Sequence, residues 1–183
     1  GSLGQRMVEK VLSNKLGKPK KVIIFSRDES KQHDMRVKWL NSSKKSDSII
    51  FNNFKRLLEF RIGDIRNYSD VCSAIKGVDI IINCAALKHV PVCEYFPDQS
   101  LLTNCQGAIN IVRAINELNL PIETVIGIST DKAAAPVNVM GMTKAIQERI
   151  FIASNIFLKK TRVVTVRYGN VMASRGSVIP LFI

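Results

Sequence analysis

The residues best suited to chemistry in this sequence are a neighbouring carboxylate and amine, Asp131 and Lys132. They directly follow residues 124–129, an apolar and β-branched run that predicts a strand. Strand ends of α/β sheets are where such folds bind their ligands, and an adjacent acid and amine there could move protons in both directions. Taken alone, the pair also fits a solvated loop in which the aspartate caps a turn.

The elements around this pair alternate between strands and helices, which predicts an α/β fold with a doubly wound parallel sheet, Rossmann-like in type. The predicted strands are residues 21–25, 57–62, 78–84, 124–129 and 161–167. The predicted helices are residues 5–16, 29–40, 69–76, 97–118 and 138–158. Residues 41–53 are rich in Ser, Lys and Asn, and they predict an exposed excursion.

Composition narrows the classes of function. The chain has 183 residues, 46% of them hydrophobic, which suits one domain with a real core. Its net charge of +12 favours anionic partners such as nucleotides and diphosphates. Aromatic residues do not interleave with the lysines, so nucleic acid is not an expected partner. No apolar run approaches the roughly 18 residues of a membrane span, so no membrane segment is expected within this stretch.

Four cysteines, Cys72, Cys84, Cys93 and Cys105, show neither a C-x-x-C pair nor zinc-type spacing, so no metal site is expected. Cys72, Cys84 and Cys105 lie among apolar neighbours and are predicted to be small buried hydrophobes. Unpaired thiols of this kind predict a reducing compartment, the cytoplasm.

A phosphate-binding motif is half visible at the start of the chain. Gly1 and Gly4 are spaced like the back half of G-x-x-G-x-x-G and precede a predicted helix. Glycines there let the backbone approach a pyrophosphate at the helix N-terminus. This interpretation predicts that the chain is a piece of a longer protein, without the preceding first strand of the sheet.

The predicted strand at residues 21–25 ends in Ser26, Arg27 and Asp28. In a dinucleotide-binding fold an acid here accepts the 2′-hydroxyl of NAD, whereas an arginine accommodates the 2′-phosphate of NADP. Arg27 comes first and Lys31 follows one turn into the next helix, which favours NADP and leaves NAD open. Asp28 could equally serve the first turn of that helix.

Two further strand ends suggest cofactor contacts. Asp64 and Ile65 follow the third-strand region, and the Asp64 carboxylate could bind the adenine amine or simply cap a turn. Ala85 and Ala86 follow residues 78–84, and their small side chains would let a flat cofactor lie against the backbone.

Together these motifs resemble the CapD-like polysaccharide biosynthesis family of UDP-N-acetylglucosamine 4,6-dehydratases, which are extended short-chain dehydrogenase/reductases. The matching segments are residues 1–4, 25–29, 63–66, 85–91, 129–134, 138–144 and 167–177. The resemblance covers residues 1–183 in the right order and implies a partial NAD(P)-binding domain without the C-terminal substrate subdomain. It also implies a UDP-sugar substrate, a role in bacterial capsule or O-antigen synthesis, a homo-oligomer at full length, and no turnover by this piece alone.

The family chemistry assigns roles to the strand-end residues. Such enzymes move a hydride from C4 of the sugar to NADP⁺, eliminate water across C5 and C6, and return the hydride to C6. The resemblance implies that Asp131 is the acid for the 6-hydroxyl, Lys132 the base at C5, and Thr130 the hydrogen-bond partner of the 4-oxygen. It implies that Lys144 binds the nicotinamide ribose. Because an ordinary lysine is neutral in only about one molecule in 2,500 at pH 7, the site of a lysine base must disfavour a cation.

Substrate contacts are also implied by the resemblance. Lys88 and His89 would lie along the sugar and diphosphate, with Lys88 also beside the cofactor. Asn104 would have a structural role, bridging backbone strands near the site. The remaining predicted substrate contacts, toward the diphosphate and uridine, are Asn170, Ser174, Arg175 and Ser177. Asn170 could equally be a turn residue after Gly169, whereas a guanidinium such as that of Arg175 suits a phosphate.

One position departs from the wider superfamily pattern. Most short-chain dehydrogenases have Tyr in Tyr-x-x-x-Lys, but Met140 stands there before Lys144, as it does in part of the CapD-like family. A thioether cannot transfer the hydroxyl proton, so Asp131, Lys132 or a water held by Thr130 are candidate bases for C4 oxidation. Members that retain and members that invert the configuration at C5 both resemble this sequence, and the overall likeness to the soluble branch favours inversion.

Two other functions remain open. A nucleotide-sugar 4-epimerase shares the redox step but needs no acid–lysine pair, so Asp131 and Lys132 favour the dehydratase. A non-catalytic nucleotide-binding homologue is supported by Met140 and opposed by the other retained residues.

Overall fold

In a computed structural model that describes residues 1–41 and 48–169, the chain forms two compact units, Gly1–Gly63 and the part from Asp64 onward. Each of the five predicted strands is present, with both ends within two residues of the prediction. All strand pairs are parallel, which confirms the α/β class. The strands form two sheets, one of two and one of three strands.

The first unit contains a two-stranded parallel sheet and three helices. Its elements are α1 (Ser2–Leu12), β1 (Val22–Ser26), α2 (Glu29–Asn41), α3 (Ser48–Leu57) and β2 (Leu58–Ile62). The strands pair from Val22 opposite Leu58 to Ser26 opposite Ile62. Apolar side chains from the three helices form its core: Val8, Leu12, Met35, Trp39 and Phe54.

The predicted helix over residues 5–16 is wrong at both ends. Helix α1 begins at Ser2 with Gly1 as its N-cap, so Gly4 lies inside the first turn rather than before the helix. It ends at Leu12 because Asn14 adopts φ 58°, where the Lys15 N–H bonds the Lys10 carbonyl at 2.9 Å. An asparagine in the left-handed region with this bond pattern is a helix-terminating Schellman motif.

The predicted polar excursion over residues 41–53 is also wrong in its second half. Helix α3 begins at Ser48 and buries Asn53, Phe54 and Leu57. The Asn53 amide donates to the Leu12 carbonyl at 2.7 Å, so a polar residue is buried because it satisfies the end of α1.

The second unit contains a three-stranded parallel sheet with β4 in the centre. Its strands are β3 (Ile80–Asn83), β4 (Thr124–Ile128) and β5 (Arg162–Val166), and its α-helices are α4 (Tyr68–Ile75), α5 (Val90–Tyr95), α6 (Pro97–Ser100), α7 (Gly107–Glu117) and α8 (Val139–Ser154). Helix α8 packs closely on the sheet, since a Cβ on Gly127 would lie 2.5 Å from the Phe151 ring. Among the residues that the structure describes, no helix is long and apolar enough to cross a membrane.

The predicted helix over residues 97–118 is interrupted by a π-helical segment, Leu101–Gln106, between α6 and α7. π-Helical turns inside α-helices frequently mark functional sites. Asn104 in this segment is fully buried and forms hydrogen bonds to both the N–H and the C=O of Leu87, at 2.9 and 3.1 Å. It also donates to the Thr143 hydroxyl at 3.0 Å. Asn104 therefore has a structural role near the site, but it joins a loop to a helix and does not bridge backbone strands as predicted.

Candidate active site

The turn after β4 brings the predicted acid and amine together. The Lys132 ammonium lies 3.3 Å from the Asp131 carboxylate, and the Thr130 hydroxyl donates to the same carboxylate oxygen at 2.8 Å. Thr130 is the N-cap of a 3₁₀ turn, Asp131–Ala133. The Asp131 and Lys132 side chains are 52% and 39% exposed, so a ligand in solvent can reach both.

Hydrogen bonding fixes the charge of Asp131. The Thr130 hydroxyl, and then Lys132, hold the pKa of the Asp131 carboxyl below its ordinary value. Because the pKa is lowered, Asp131 is ionised at neutral pH and forms an ion pair with Lys132. To act as an acid, the carboxylate must therefore first receive a proton.

The backbone of this turn is held by β5 and by α8. The Ser129 and Asp131 N–H groups donate to the carbonyls of Val166 and Tyr168, at 2.7 and 3.0 Å. On the other side, a Cβ on Gly141 would lie only 2.6 Å from the Lys132 carbonyl oxygen. The first turn of α8 can approach the Asp131–Lys132 turn this closely only because residue 141 is glycine.

Helix α8 begins at an asparagine cap and carries the second predicted lysine. The Asn138 side chain accepts from the Gly141 N–H at 2.8 Å. Met140, at the position where most short-chain dehydrogenases have tyrosine, is buried. Lys144 is also buried, and its ammonium donates to the Ile128 carbonyl at the end of β4, at 2.5 Å.

The ammonium of Lys144 has a second partner, the side-chain oxygen of Gln147. Burial lowers the pKa of Lys144 to about 8, and the nearby Glu148 carboxylate opposes that shift. The structure therefore places an amine with a lowered pKa beside the strand end that carries the Asp131–Lys132 turn.

Three polar residues behind Lys144 were missed by sequence reasoning. Gln147 and Glu148 are buried in α8, and Glu148 receives two hydrogen bonds from the Arg167 guanidinium, at 2.8 and 2.7 Å. Their spacing of three and four residues from Lys144 puts them on one face of the helix. That spacing is the feature of the sequence that could have identified them, because polar side chains on the same buried helix face as a lysine must form hydrogen bonds or ion pairs with one another.

The loop after β3 holds the small residues expected beside a flat cofactor. Ala85 and Ala86 are half-buried, and the Ala85 N–H donates to the Asn83 side chain at 3.1 Å. The buried amide nitrogen of Asn83 has no hydrogen-bond partner within the described part of the chain. Lys88 and His89 follow and are exposed. An unsatisfied donor and small residues at a strand end fit a polar, flat ligand such as a dinucleotide.

In the first unit, the residues that follow β1 cap the start of α2, which is the second of the two roles predicted for Asp28. The Ser26 hydroxyl accepts from the Asp28 N–H at 3.1 Å, and the Asp28 carboxylate accepts from the Lys31 N–H at 2.9 Å and pairs with the Lys31 ammonium. Lys31 lowers the pKa of Asp28. Arg27 is exposed.

Asp64 borders an open depression of about 640 Å³, and Ile65 is not among the residues that line it. The depression is lined by Asp64, Arg66, Asn67, Tyr68, Asp70 and Leu102. The Asp64 carboxylate accepts from the Arg66 N–H and guanidinium, at 2.7–3.0 Å. Ile65 is buried, and a Cβ on Gly107 would contact it at 3.0 Å. The turn role of Asp64 is therefore observed, and the depression leaves room for a base beside it.

Four predicted substrate residues, Asn170, Ser174, Arg175 and Ser177, lie outside the residues that the structure describes.

The cysteines differ from the prediction at one position. Cys93 and Cys105 are buried and Cys72 is half-buried, but Cys84 is exposed. The prediction that Cys84 is buried is wrong because Ile80, Ile82 and Cys84 share one face of the sheet by the alternation of β3, and all three are exposed there. Among the described residues, no group of three or more His, Cys, Asp or Glu could hold a metal ion.

Comparison with known proteins identifies the family. A family model described as polysaccharide biosynthesis protein matches residues 1–183. The chain belongs to this family. Among curated relatives, the proteins called UDP-glucose 4-epimerase from Rickettsia bellii (strain RML369-C) and Rickettsia prowazekii (strain Madrid E) are 47% and 45% identical over all of this chain and 50% of theirs. The chain therefore spans about half the length of these relatives.

Solved structures support the same fold. The family member resembles Pen from Bacillus thuringiensis, with 38% identity and a TM-score of 0.81 over 95% of this chain and 50% of that one. It also resembles the dTDP-glucose 4,6-dehydratase DesIV from Streptomyces venezuelae, in a double mutant with NAD and DAU bound. That match has 20% identity and a TM-score of 0.75, over 100% of this chain and 58% of that one, and it shows the fold alone.

Proposed function

We propose that the complete protein is an NADP-dependent UDP-N-acetylglucosamine 4,6-dehydratase, a lyase of bacterial surface polysaccharide synthesis that acts in the cytoplasm. The observation that carries this proposal is the contact between Asp131 and Lys132, 3.3 Å apart at the carboxyl end of β4 and open to solvent. A water elimination needs one group to take a proton and another to give one, and this contact supplies both.

The direct contact also solves a protonation problem. Asp131 and Lys132 rest as an ion pair, whereas the elimination needs a neutral amine and a protonated acid. Transfer of one proton from the ammonium to the carboxylate gives that neutral pair. A bound sugar would favour it, because removing water from an ion pair penalises the charged forms.

The elimination then follows from the positions of these groups. The neutral Lys132 amine takes the C5 proton, and the electrons of that C–H bond form the C5–C6 double bond. The C6–O bond breaks, and Asp131 protonates the departing oxygen so that it leaves as water. Thr130 would donate to the 4-oxygen once the sugar replaces Asp131 as the acceptor of its hydroxyl.

The nicotinamide cofactor, when bound, would supply the redox chemistry, accepting a hydride from C4 and later giving it to C6. Asp131, Lys132 or a water held by Thr130 would take the proton of the C4 hydroxyl as the hydride leaves C4. An acid of the site would return a proton to C5 as the hydride reaches C6. Ala85, Ala86 and the unsatisfied amide of Asn83 would lie against it, and Lys144 would bind its ribose. For the 2′-phosphate of NADP, Arg27 is the proposed partner, because Lys31 already neutralises the Asp28 carboxylate. DesIV carries NAD, so NAD stays the alternative.

Further contacts complete the proposal. The depression beside Asp64 would accept the adenine. Exposed Lys88 and His89 would lie along the sugar and diphosphate, and Asn170, Ser174, Arg175 and Ser177 would bind the diphosphate and uridine. We further propose inversion at C5 and a homo-oligomer for the complete protein.

The test is to incubate the complete protein with UDP-N-acetylglucosamine and NADP⁺ and to follow the sugar nucleotide by mass spectrometry. Loss of one water supports the dehydratase, and NMR of the product gives the configuration at C5. The names of the Rickettsia relatives favour a second candidate, a 4-epimerase. An epimerised sugar of unchanged mass would support it instead. An unchanged sugar with retained cofactor binding would indicate a non-catalytic homologue.

A further inference from the structure

Glu148 is a buried carboxylate whose surroundings require explanation. It is 5% exposed, and both of its oxygens accept from Arg167, at 2.8 and 2.7 Å. A buried charge is costly unless it is paired, and two parallel bonds to one guanidinium fix orientation as well as charge. The pair therefore joins α8 to the end of β5 at one defined position.

The end of β5 is also the support of the Asp131–Lys132 turn. Arg167 lies between Val166 and Tyr168, whose carbonyls accept from Ser129 and Asp131 at 2.7 and 3.0 Å. The Arg167 side chain is 49% exposed, and its guanidinium is held by Glu148, which limits how far the backbone carbonyls on either side of it can move. The ion pair with Glu148 thus restrains the backbone that carries the proposed acid.

Glu148 also lies one helical turn after Lys144, on the same face of α8, and both side chains are buried. The other ionisable groups that face Lys144 are the thiols of Cys84 and Cys105. Among these groups Glu148 is the one carboxylate, and it favours the protonated form of Lys144.

The geometry points to Glu148 as a positioning residue, which holds the Asp131–Lys132 turn through Arg167 and favours the protonated form of the buried Lys144 amine. Its effect on turnover rests on the function proposed above. Its effect on the Lys144 amine does not, since it needs neither substrate nor cofactor.

The test compares two substitutions that break the same ion pair from opposite sides. Glu148→Gln removes the negative charge, so the Lys144 titration midpoint should fall by about one pH unit. Arg167→Gln leaves Glu148 with Lys144 as its nearest cation, so the midpoint should rise by about half a unit or more. The midpoint is read by NMR of ¹⁵N-lysine in the complete protein, with the Lys144 signal assigned by its loss in Lys144→Met.

Glu117→Gln is the matched control, since it breaks the exposed Arg113–Glu117 pair of α7 by the same chemical change. It should leave the Lys144 midpoint in place. Circular dichroism checks that each variant folds. If Glu148→Gln does not fold, the upward shift in Arg167→Gln still decides the question. Shifts in the same direction, or no shift in a folded variant, would overturn the proposal.

Turnover gives the second readout. Both variants should lower kcat about tenfold with little change in KM, because the turn is displaced while the binding residues remain. Opposite NMR shifts without any water loss by the wild type would contradict the dehydratase and leave the role of Glu148 standing. Water loss by the wild type without these NMR shifts would support the dehydratase and overturn the role of Glu148.

Discussion

Two lysines of the second unit lie near the same strand end, in contrasting surroundings. Lys132 is partly exposed and contacts the Asp131 carboxylate in a three-residue turn. Lys144 is buried in α8, and the neutral oxygens of Ile128 and Gln147 accept hydrogen bonds from its ammonium. The exposed lysine can meet a ligand with little effect on folding, whereas the buried one is part of the core.

The largest effect is expected from Lys132→Ala. If this amine is the C5 base, water loss should fall by about 10²–10⁴-fold, since that is the range for a lost general base. The melting temperature should stay nearly unchanged, because exposed ion pairs contribute little to stability. Turnover by mass spectrometry and thermal melts measure the two effects.

The matched control for Lys132→Ala is Lys159→Ala, which removes an exposed lysine outside the site. It should behave as wild type in both assays. Near-normal water loss in Lys132→Ala would show that the exposed lysine is not the base.

The next effect concerns the contact between α8 and the turn. In Gly141→Ala the added methyl would meet the Lys132 carbonyl at 2.6 Å, so the turn must move. Displacements of about 1 Å can reduce turnover about 10²-fold. Alanine also favours a helix over glycine by up to about 1 kcal/mol, so a loss of turnover without loss of stability would isolate the clash.

Met142→Ala, on the exposed side of the same helical turn, is the comparison for Gly141→Ala. Equal turnover in these two variants would mean that the turn tolerates the methyl group.

A smaller effect should appear in the pH dependence of stability. The pKa of Lys144 is about 8 in the folded chain against 10.5 ordinarily, so the unfolded state binds more protons between these values. Burial therefore costs stability below pH 8, and the cost is relieved as the pH rises toward 10.5. Urea titrations should show wild type gaining about 1.4 kcal/mol per pH unit relative to Lys144→Met in this window. A constant difference would contradict the lowered pKa.

The α/β class and all strands could be predicted because continuous apolar runs and strand-end motifs are local features of the sequence. Helix α3 was missed because the Ser-, Lys- and Asn-rich composition of residues 41–53 favours an excursion, although Ile50, Phe54 and Leu57 have helical spacing. The burial of Asn53 could not be predicted, since it depends on a bond to α1 that only the fold reveals. The exposure of Cys84 likewise depends on how well its face of the sheet is covered, which a single run of residues does not encode.

The same division holds for the candidate site. Adjacency in the sequence brings Asp131 and Lys132 together, so their contact followed from the motif. The burial of Lys144, by contrast, depends on partners in β4 and α8, and Glu148 depends on Arg167 in β5. The catalytic roles of these residues stay predictions.

The smallest expected effect is the change of the Asp131 and Lys144 pKa values with salt concentration. Raising NaCl from about 0.05 to 1 M screens exposed charges, so the attraction of Lys132 should weaken and the Asp131 pKa should move up toward its ordinary value. The buried Lys144 amine should move less. ¹³C NMR of the Asp131 carboxylate and ¹⁵N NMR of the Lys144 amine can follow the two pKa values. Equal sensitivity to salt would contradict the contrast between the exposed Asp131–Lys132 pair and the buried Lys144.

Asn104 ties the loop after β3 to α8 by gripping both backbone groups of Leu87 and the hydroxyl of Thr143. Thr143 is the immediate neighbour of Lys144, and Leu87 that of Lys88. A ligand that displaces Lys88 would therefore also shift Lys144, because the Asn104 amide connects the residues next to both. The residues proposed for the substrate and for the cofactor would then move together.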